Sequence, residues 1–293
     1  MSASLATLAL LIAGQTPYVR SHVGNDPEAA CLWWQAGTVT LSAAASGLPE
    51  TTGDSEHQAL QRSLQTWGQA MEACGNLQLV QGAASERSEI GFDRNNLAAN
   101  RNTLVFRQAN CTAVAPEADT CWAEEACGNK YNCWDDARYG AFVLALTTTT
   151  YDIRTGRLYD ADIELNDANF YFTTADGPVC GEVESQACAA TDVENTLTHE
   201  LGHLLGLDHA QATASTMFPS AERGEISKRV LDPGTRQFVC DVYPKGAASR
   251  NCEPPPKPVE PKPEPDEGCS ATGGGPLLAA LALLLRPWRR RRG

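Results

Sequence analysis

The stretch HELGHLLGLDH, residues 199–209, decides how this chain folds and what it can do. On a helix, His199 and His203 lie four residues apart, so both imidazoles point from one face and can bind one metal ion. Gly206 can take a positive φ, which ends the helix and lets His209 approach the same ion as a third ligand. Three neutral imidazoles leave the fourth position of a tetrahedral zinc open for water, as in catalytic zinc sites. The sequence therefore predicts a catalytic zinc ion held by these three histidines.

Glu200 lies between two of the predicted ligands without being needed as a ligand itself. We predict that it is the general base, taking a proton from zinc-bound water and passing it to the leaving amine. Glu200 could instead be an acidic residue near the helix N-terminus that only stabilises the helix through its dipole. The histidines could instead face the apolar core from an amphipathic helix. Burying three imidazoles and a carboxylate on one side of a helix without polar partners is unfavourable, so we disfavour that interpretation.

Met217 follows the third histidine by eight residues, within the segment STMFP. A methionine turn downstream of this zinc motif resembles the metzincin clan of zinc proteases. Met217-Phe218-Pro219 resembles the Met-Tyr-Pro of matrixins, although Ala210 stands where matrixins usually have Ser. The resemblance implies that Met217 forms an apolar floor beneath the metal. It also implies that this segment walls the pocket for the substrate residue just after the cleaved bond. Taken alone, Met217 could equally be one ordinary buried methionine.

The rest of residues 16–252 is predicted to form one α+β, metzincin-like catalytic domain. We expect a twisted mixed β-sheet, an active-site helix and a C-terminal helix. Asp192 or Thr191 is the expected N-cap of the active-site helix. The pattern of apolar and β-branched residues predicts a strand at 38–43, a helix at 55–73, a strand at 141–151, the active-site helix at 193–205 and the last helix at 230–243.

Residues 158–166 alternate apolar and polar side chains. They resemble the edge strand on which metzincins bind an extended peptide substrate as an added strand. Asp160, Asp162 and Glu164 lie on one face of this predicted strand. They are either calcium ligands, since metzincins often carry structural calcium, or simply solvated.

Eleven cysteines and a net charge of −13 limit the function classes that fit. So acidic a chain has no electrostatic reason to bind nucleic acid. Ten of the cysteines form an even set, which in an exported chain predicts disulfides. Sequence cannot prove the pairing; the plausible bridges are Cys111–Cys121, Cys127–Cys133, Cys180–Cys188, Cys240–Cys252 and Cys31–Cys74. The alternative for the four cysteines at 111–133 is a second zinc site.

The two ends of the chain predict its cellular address. Residues 1–15 contain a short apolar run that fits a secretory signal. Residues 253–268, rich in Pro, Glu and Lys, predict an extended linker. Cys269, an apolar stretch and a terminal arginine cluster make residues 269–293 resemble a myxosortase-type (MYXO-CTERM) sorting tail. In such tails a membrane protease cuts near the cysteine, which then anchors the protein.

Two other interpretations of the tail are a single-pass anchor and a basic patch for nucleic acid. The apolar run is short for a bilayer, and arginines directly behind it suit the positive-inside rule better than a nucleic-acid site. We therefore expect a monomer that is secreted and held at the outer cell surface, with membrane contact only through the tail.

These observations predict a zinc-dependent endopeptidase that cleaves proteins or peptides in extended conformation. The sequence is also compatible with two other functions. One is a zinc amidase that acts on peptidoglycan, and the other is a catalytically silent surface binding module.

Overall fold

The computed structural model describes residues 18–252, so the predicted signal segment and sorting tail lie outside the described residues. Nine strands are present in this part of the chain: β1 (Val19–Arg20), β2 (Gly37–Ala43), β3 (Leu77–Gln81), β4 (Asn102–Phe106), β5 (Ala145–Tyr151), β6 (Leu158–Leu165), β7 (Phe172–Thr173), β8 (Thr191–Asp192) and β9 (Leu207–Asp208). The α-helices are α1 (Ser55–Cys74), α2 (Cys111–Val114), α3 (Cys127–Tyr131), α4 (Asp136–Tyr139), α5 (Val193–Leu204) and α6 (Pro233–Val242). No helix among residues 18–252 has the length and apolar character needed to cross a bilayer.

The main sheet has five strands in the order β3-β2-β4-β6-β5. The first four pair in parallel, and β5 joins β6 antiparallel at one edge. Long helices α1 and α5 supply apolar side chains to the same core as the sheet, including Leu64 and Leu201. Trp67 of α1 is fully buried, and its indole nitrogen donates to the carbonyl oxygen of Thr198 on α5 at 2.9 Å. The predicted α+β fold with a mixed sheet is therefore confirmed.

The predicted edge strand is wrong. Residues 158–165 form β6, which lies inside the sheet, and the edge strand is β5. The error arose because alternating acids usually mark a solvated sheet face. Here that face is covered, and Asp160, Asp162 and Glu164 are only 2%, 1% and 5% exposed. Any peptide that extends this sheet on the cleft side must therefore pair with β5.

The last helix is shorter than predicted, because it begins at Pro233 rather than at residue 230. The Asp232 side chain accepts hydrogen bonds from the backbone nitrogens of Gly234 and Thr235, which makes it the N-cap. Proline directly after the cap needs no hydrogen-bond partner for its nitrogen, so it suits the first helical position. Residues 227–229 form a separate 3₁₀ turn before this cap.

Only one predicted disulfide, Cys180–Cys188, is confirmed. The other four bridges are Cys31–Cys252, Cys74–Cys240, Cys111–Cys133 and Cys121–Cys127. The prediction joined near neighbours in sequence, whereas α6 packs against α1 and thereby brings together cysteines 166 residues apart. The four cysteines at 111–133 form two bridges, so the alternative of a second zinc site there is wrong.

Candidate metal centre

Helix α5 carries the first two predicted ligands. Its N-cap is Asp192, whose side chain accepts from the backbone nitrogen of Asn195 at 2.7 Å. The helix ends at Leu204, and Gly206 then has φ +95°. A Cβ at that position would lie 2.5 Å from the carbonyl oxygen of Leu32, so the turn requires glycine for both its backbone angle and its space.

The three predicted ligands converge at one point. Nε2 of His203 lies 3.2 Å from Nε2 of His199 and 3.2 Å from Nε2 of His209, and the remaining pair is 3.3 Å apart. Tetrahedral zinc with bonds of about 2.0–2.1 Å spaces its ligand atoms about 3.3–3.4 Å apart. The triangle of nitrogens therefore fits one zinc ion.

Hydrogen bonds fix the orientation of two of these rings. Nδ1 of His199 lies 2.7 Å from the carbonyl oxygen of Thr216, and Nδ1 of His203 lies 2.9 Å from that of Leu207. A carbonyl can only accept, so each Nδ1 carries the hydrogen and each Nε2 presents a lone pair to the centre. Lone pairs that meet at such distances repel one another unless a cation lies between them. The donor set thus has the chemistry of a metal site.

Burial lowers the pKa of all three imidazoles. The pKa of His199 falls well below its usual value, mainly through burial and then through the neighbouring His203. Burial is also the main cause of the lowered pKa of His203 and of His209. Neutral imidazoles are the form that binds metal, so the site is ready for an ion at neutral pH.

Glu200 lies beside the triangle and is almost fully buried, at 6% exposure. Burial raises the pKa of its carboxyl to about 7, although a hydrogen bond from Thr147 acts in the opposite direction. The Thr147 hydroxyl on β5 donates to Oε2 of Glu200 at 2.7 Å. A carboxyl with a pKa near neutrality can both accept and return a proton at that pH, as a general base must.

Met217 packs directly beneath α5 and is 1% exposed. A Cβ added to Gly202, between the two helical histidines, would lie 2.2 Å from its sulfur. The backbone of Ala210 donates to the carbonyl oxygen of Met217 at 2.9 Å, so the methionine turn is fastened to the residue after the third histidine.

Asp232 also holds the methionine turn, a role that no pattern in the sequence indicates. Its Oδ2 accepts from the backbone nitrogen of Thr216 at 2.9 Å and from the hydroxyl of Ser215 at 3.1 Å. The same carboxylate caps α6. Its position just before Pro233 signals a helix cap in the sequence, but nothing there signals contact with a turn 16 residues earlier.

The centre opens into a cleft of about 710 Å³. One wall is the edge strand β5 with the preceding residues 142–144, and another is the segment after Met217, including Phe218 and Pro219. Lys228, only 4% exposed, also lines the cleft, and its ammonium donates to Glu225 and to the carbonyl oxygen of Ser220.

A second group of metal-ligating residue types occurs in the described part of the chain, at His22, Cys31 and Cys252. The two cysteines are bonded to each other, so they offer no thiolate. The calcium predicted for β6 has no ready-made site either, since two of its three acids already have partners. Asp162 accepts from the backbone nitrogens of Gly91 and Thr103, and Glu164 pairs with Arg107 at 2.6 Å. The solvated alternative is wrong because all three acids are buried, and calcium stays a prediction.

The mixed sheet with a long helix carrying the HELGH motif, followed by the glycine turn and the methionine turn, has the architecture of the metzincins. Comparison with known proteins identifies the family within the metzincins to which the chain belongs. The family model described as Matrixin matches residues 33–243, more than half of the chain, so the chain belongs to the matrixin family. A relative, metalloendoproteinase 2-MMP of Arabidopsis thaliana, is 26% identical over 195 residues, which are 54% of this chain and 50% of the relative. The chain thus spans about half the length of that curated relative.

Proposed function

We propose that this protein is a zinc-dependent endopeptidase. The observation that carries the proposal is the convergence of three Nε2 atoms within 3.2–3.3 Å of one another, with the buried carboxyl of Glu200 beside them. Membership of the matrixin family supports the same activity. His199, His203 and His209 are the proposed zinc ligands, and Glu200 is the proposed general base.

The substrate is proposed to bind as an extended strand along β5, which has one neighbour, β6, in the described sheet. Residues 145, 147, 149 and 151, which lie on one face of this strand, line the cleft, and Leu146 also contributes to the lining. Main-chain hydrogen bonds to such an edge give affinity without demanding a particular sequence. The segment at Phe218 and Pro219 bounds the opposite side, where a substrate side chain next to the cleaved bond would enter.

A zinc ion held by His199, His203 and His209 would supply Lewis-acid activation of water and of the substrate carbonyl. Oε1 of Glu200 takes the proton of the attacking water and returns it to the leaving amine. The carbonyl oxygens of Thr216 and Leu207 hold two imidazoles in the tautomer that leaves Nε2 free.

The decisive experiment measures hydrolysis of casein and of a peptide library by the zinc-loaded protein, with and without a zinc chelator. We expect hydrolysis that the chelator abolishes and added zinc restores. Purified peptidoglycan in a parallel assay separates the amidase rival, which would release amide-linked peptides from it and leave casein intact. Full zinc loading without hydrolysis of any library peptide would instead favour the silent binding module.

We further propose that the protein is exported and anchored at the cell surface, as its terminal segments predict. Five disulfides within residues 18–252 support an oxidising compartment. Cell fractionation of the natural host, with Cys269→Ala as the test variant, would show the chain at the surface only when the cysteine is present. Equal surface retention of both forms would count against a sorting protease that acts near Cys269.

A further inference from the structure

We propose that Thr147 is a positioning residue for Glu200, holding one carboxylate oxygen so that the other faces the cleft. This inference deepens the proposed peptidase function and rests on it. Neither the zinc motif nor the family match assigns a role to Thr147, which lies 53 residues before Glu200 in the chain.

The contact is short and specific. Oγ1 of Thr147 lies 2.7 Å from Oε2 of Glu200 and 3.2 Å from the carbonyl oxygen of the same residue. One hydroxyl therefore bridges the side chain and the backbone of Glu200, which restricts rotation of the carboxyl. Hydrogen bonds to an ionised acceptor are about twice as strong as those between neutral groups, so this contact can hold the side chain.

The second carboxylate oxygen of Glu200, Oε1, is available to accept a proton from water. No hydrogen bond to Oε1 occurs among residues 18–252, and in that range only Arg20 Nε and Gln186 Oε1 are buried without a partner. Oε1 of Glu200 is therefore open to the cleft, which Glu200 lines together with Thr147. A carboxylate with one oxygen fastened and one free presents a single defined acceptor to a water molecule.

The position of Thr147 on β5 makes this arrangement rigid. Thr147 pairs with Ile163 of β6, and Ile163 is fully buried. Strand β5 is also the edge along which the substrate is proposed to lie. The same strand would thus set the substrate backbone and the general base relative to each other, and such alignment governs the rate of the chemical step.

Four consecutive threonines, residues 147–150, provide a matched control. The side chain of Thr148 is exposed and points away from the cleft, since successive strand residues alternate. Thr147→Val and Thr148→Val make the same change of hydroxyl to methyl on the same strand. Only the first removes the contact with Glu200. Thr147→Ser keeps the hydroxyl, and Thr147→Ala removes it without adding bulk.

The experiment compares kcat, KM, zinc content and thermal midpoint of these variants on one peptide that the wild type cleaves. We expect Thr147→Val and Thr147→Ala to lower kcat about 10- to 100-fold, a size typical of a misplaced catalytic group. KM and zinc content should stay close to wild type, Thr147→Ser should recover most of the rate, and Thr148→Val should be unaffected. If Thr147→Val does not fold, the comparison of kcat between Thr147→Ser and Thr147→Ala tests the role of the hydroxyl.

A double-mutant cycle tests whether Thr147 acts through Glu200. In a Glu200→Gln background, loss of the Thr147 hydroxyl should change the residual single-turnover rate by less than about twofold, because residues that act as a unit are not additive. An equal loss in both backgrounds, or an unchanged kcat in Thr147→Val, would overturn the positioning role. If the zinc-loaded wild type cleaves nothing, the proposed function fails and this role falls with it.

Discussion

Glu200 is the residue at which the mechanism is tested most directly. Glu200→Gln keeps the size of the side chain and an oxygen that can accept from Thr147, but an amide cannot take up a proton. We expect turnover to fall by a factor on the order of 10² to 10⁴, the usual contribution of a general base. Zinc content by atomic absorption and the thermal midpoint should stay near wild type. Near-normal hydrolysis by a fully zinc-loaded Gln variant would refute the assignment.

Gly202 is the residue that lets the methionine turn approach the helix. In Gly202→Ala the new Cβ would lie 2.2 Å from the sulfur and 2.9 Å from the terminal carbon of Met217, so this buried side chain must move within a packed core. We expect a loss of about 1–3 kcal/mol in the free energy of unfolding, as for other overpacked sites. Zinc should also bind more weakly, because His199 is held by the neighbouring Thr216. Urea unfolding and a zinc-competition titration measure both effects.

Gly68 provides the control for that prediction. It lies inside α1, and a Cβ there would meet no atom within 4 Å. Gly68→Ala should therefore stabilise the protein by up to about 1 kcal/mol through helix propensity alone. Equal stability of the two variants would mean that Met217 yields without cost and that the close approach has no structural importance.

The site residues that could be predicted from the sequence are those related to one another by local geometry. His199 and His203 lie on one helix face because they are four residues apart. Gly206 has the positive φ, +95°, that the predicted turn after the helix requires. Thr147 and Asp232 could not be predicted, because each meets the centre from another segment of the chain. Thr147 is one of four consecutive threonines and Asp232 is an acid before a proline. Neither sequence pattern indicates which distant residue the side chain contacts.

Strand β6 shows how an element can be correctly placed in sequence and wrongly placed in space. Its span was predicted to within one residue, since alternation and turn residues are local signals. Its position in the sheet depends on what covers it. The side chain of Arg107, fully buried, bonds Glu164 together with the carbonyl oxygens of Ser88 and Gly128, so distant segments close over the acidic face. The alternation of residues within β6 contains no information about these covering segments.

The acidic face of β6 also predicts how stability depends on pH. Burial, and then the neighbouring Asp162, raise the pKa of Asp160 to about 8, against about 3.9 for an unfolded chain. The folded state therefore binds a proton that the unfolded state releases above about pH 4. This contribution to stability is complete below that pH and is lost as the pH rises through about 8. The free energy of unfolding should fall between pH 6 and pH 9.

Asp160→Asn tests that pH dependence, because an amide resembles the protonated carboxyl at every pH. The urea midpoint of this variant should fall less between pH 6 and pH 9 than that of wild type. Asp152→Asn serves as the control, since backbone hydrogen bonds lower the pKa of Asp152 and keep it ionised throughout this range. Calcium in the buffer should flatten the wild-type profile if it replaces the proton. Identical slopes in Asp160→Asn and wild type would contradict a protonated Asp160.

For the whole molecule, the fold class was predictable and the covalent cross-links were not. A metal motif and a methionine turn identify an architecture because they combine in few folds. Disulfide pairing depends instead on which surfaces meet after folding. Cys31 and Cys252 join the two ends of the described chain, and Cys74 and Cys240 join α1 to α6. Both contacts are products of the complete tertiary structure.

These long bridges should dominate the stability that disulfides contribute. In the chain-entropy description, a bridge stabilises by restricting the unfolded chain, and the effect grows with the length of the loop that it closes. Cys74–Cys240 spans 166 residues and Cys121–Cys127 spans 6. That description gives about 5 kcal/mol for the first and about 2 kcal/mol for the second. Paired alanine substitutions at each bridge, compared by urea unfolding, should show the larger loss for Cys74→Ala/Cys240→Ala. A larger loss at the short bridge would show instead that it is packing around residues 111–133, and not the closure of long loops, that makes the cross-links important.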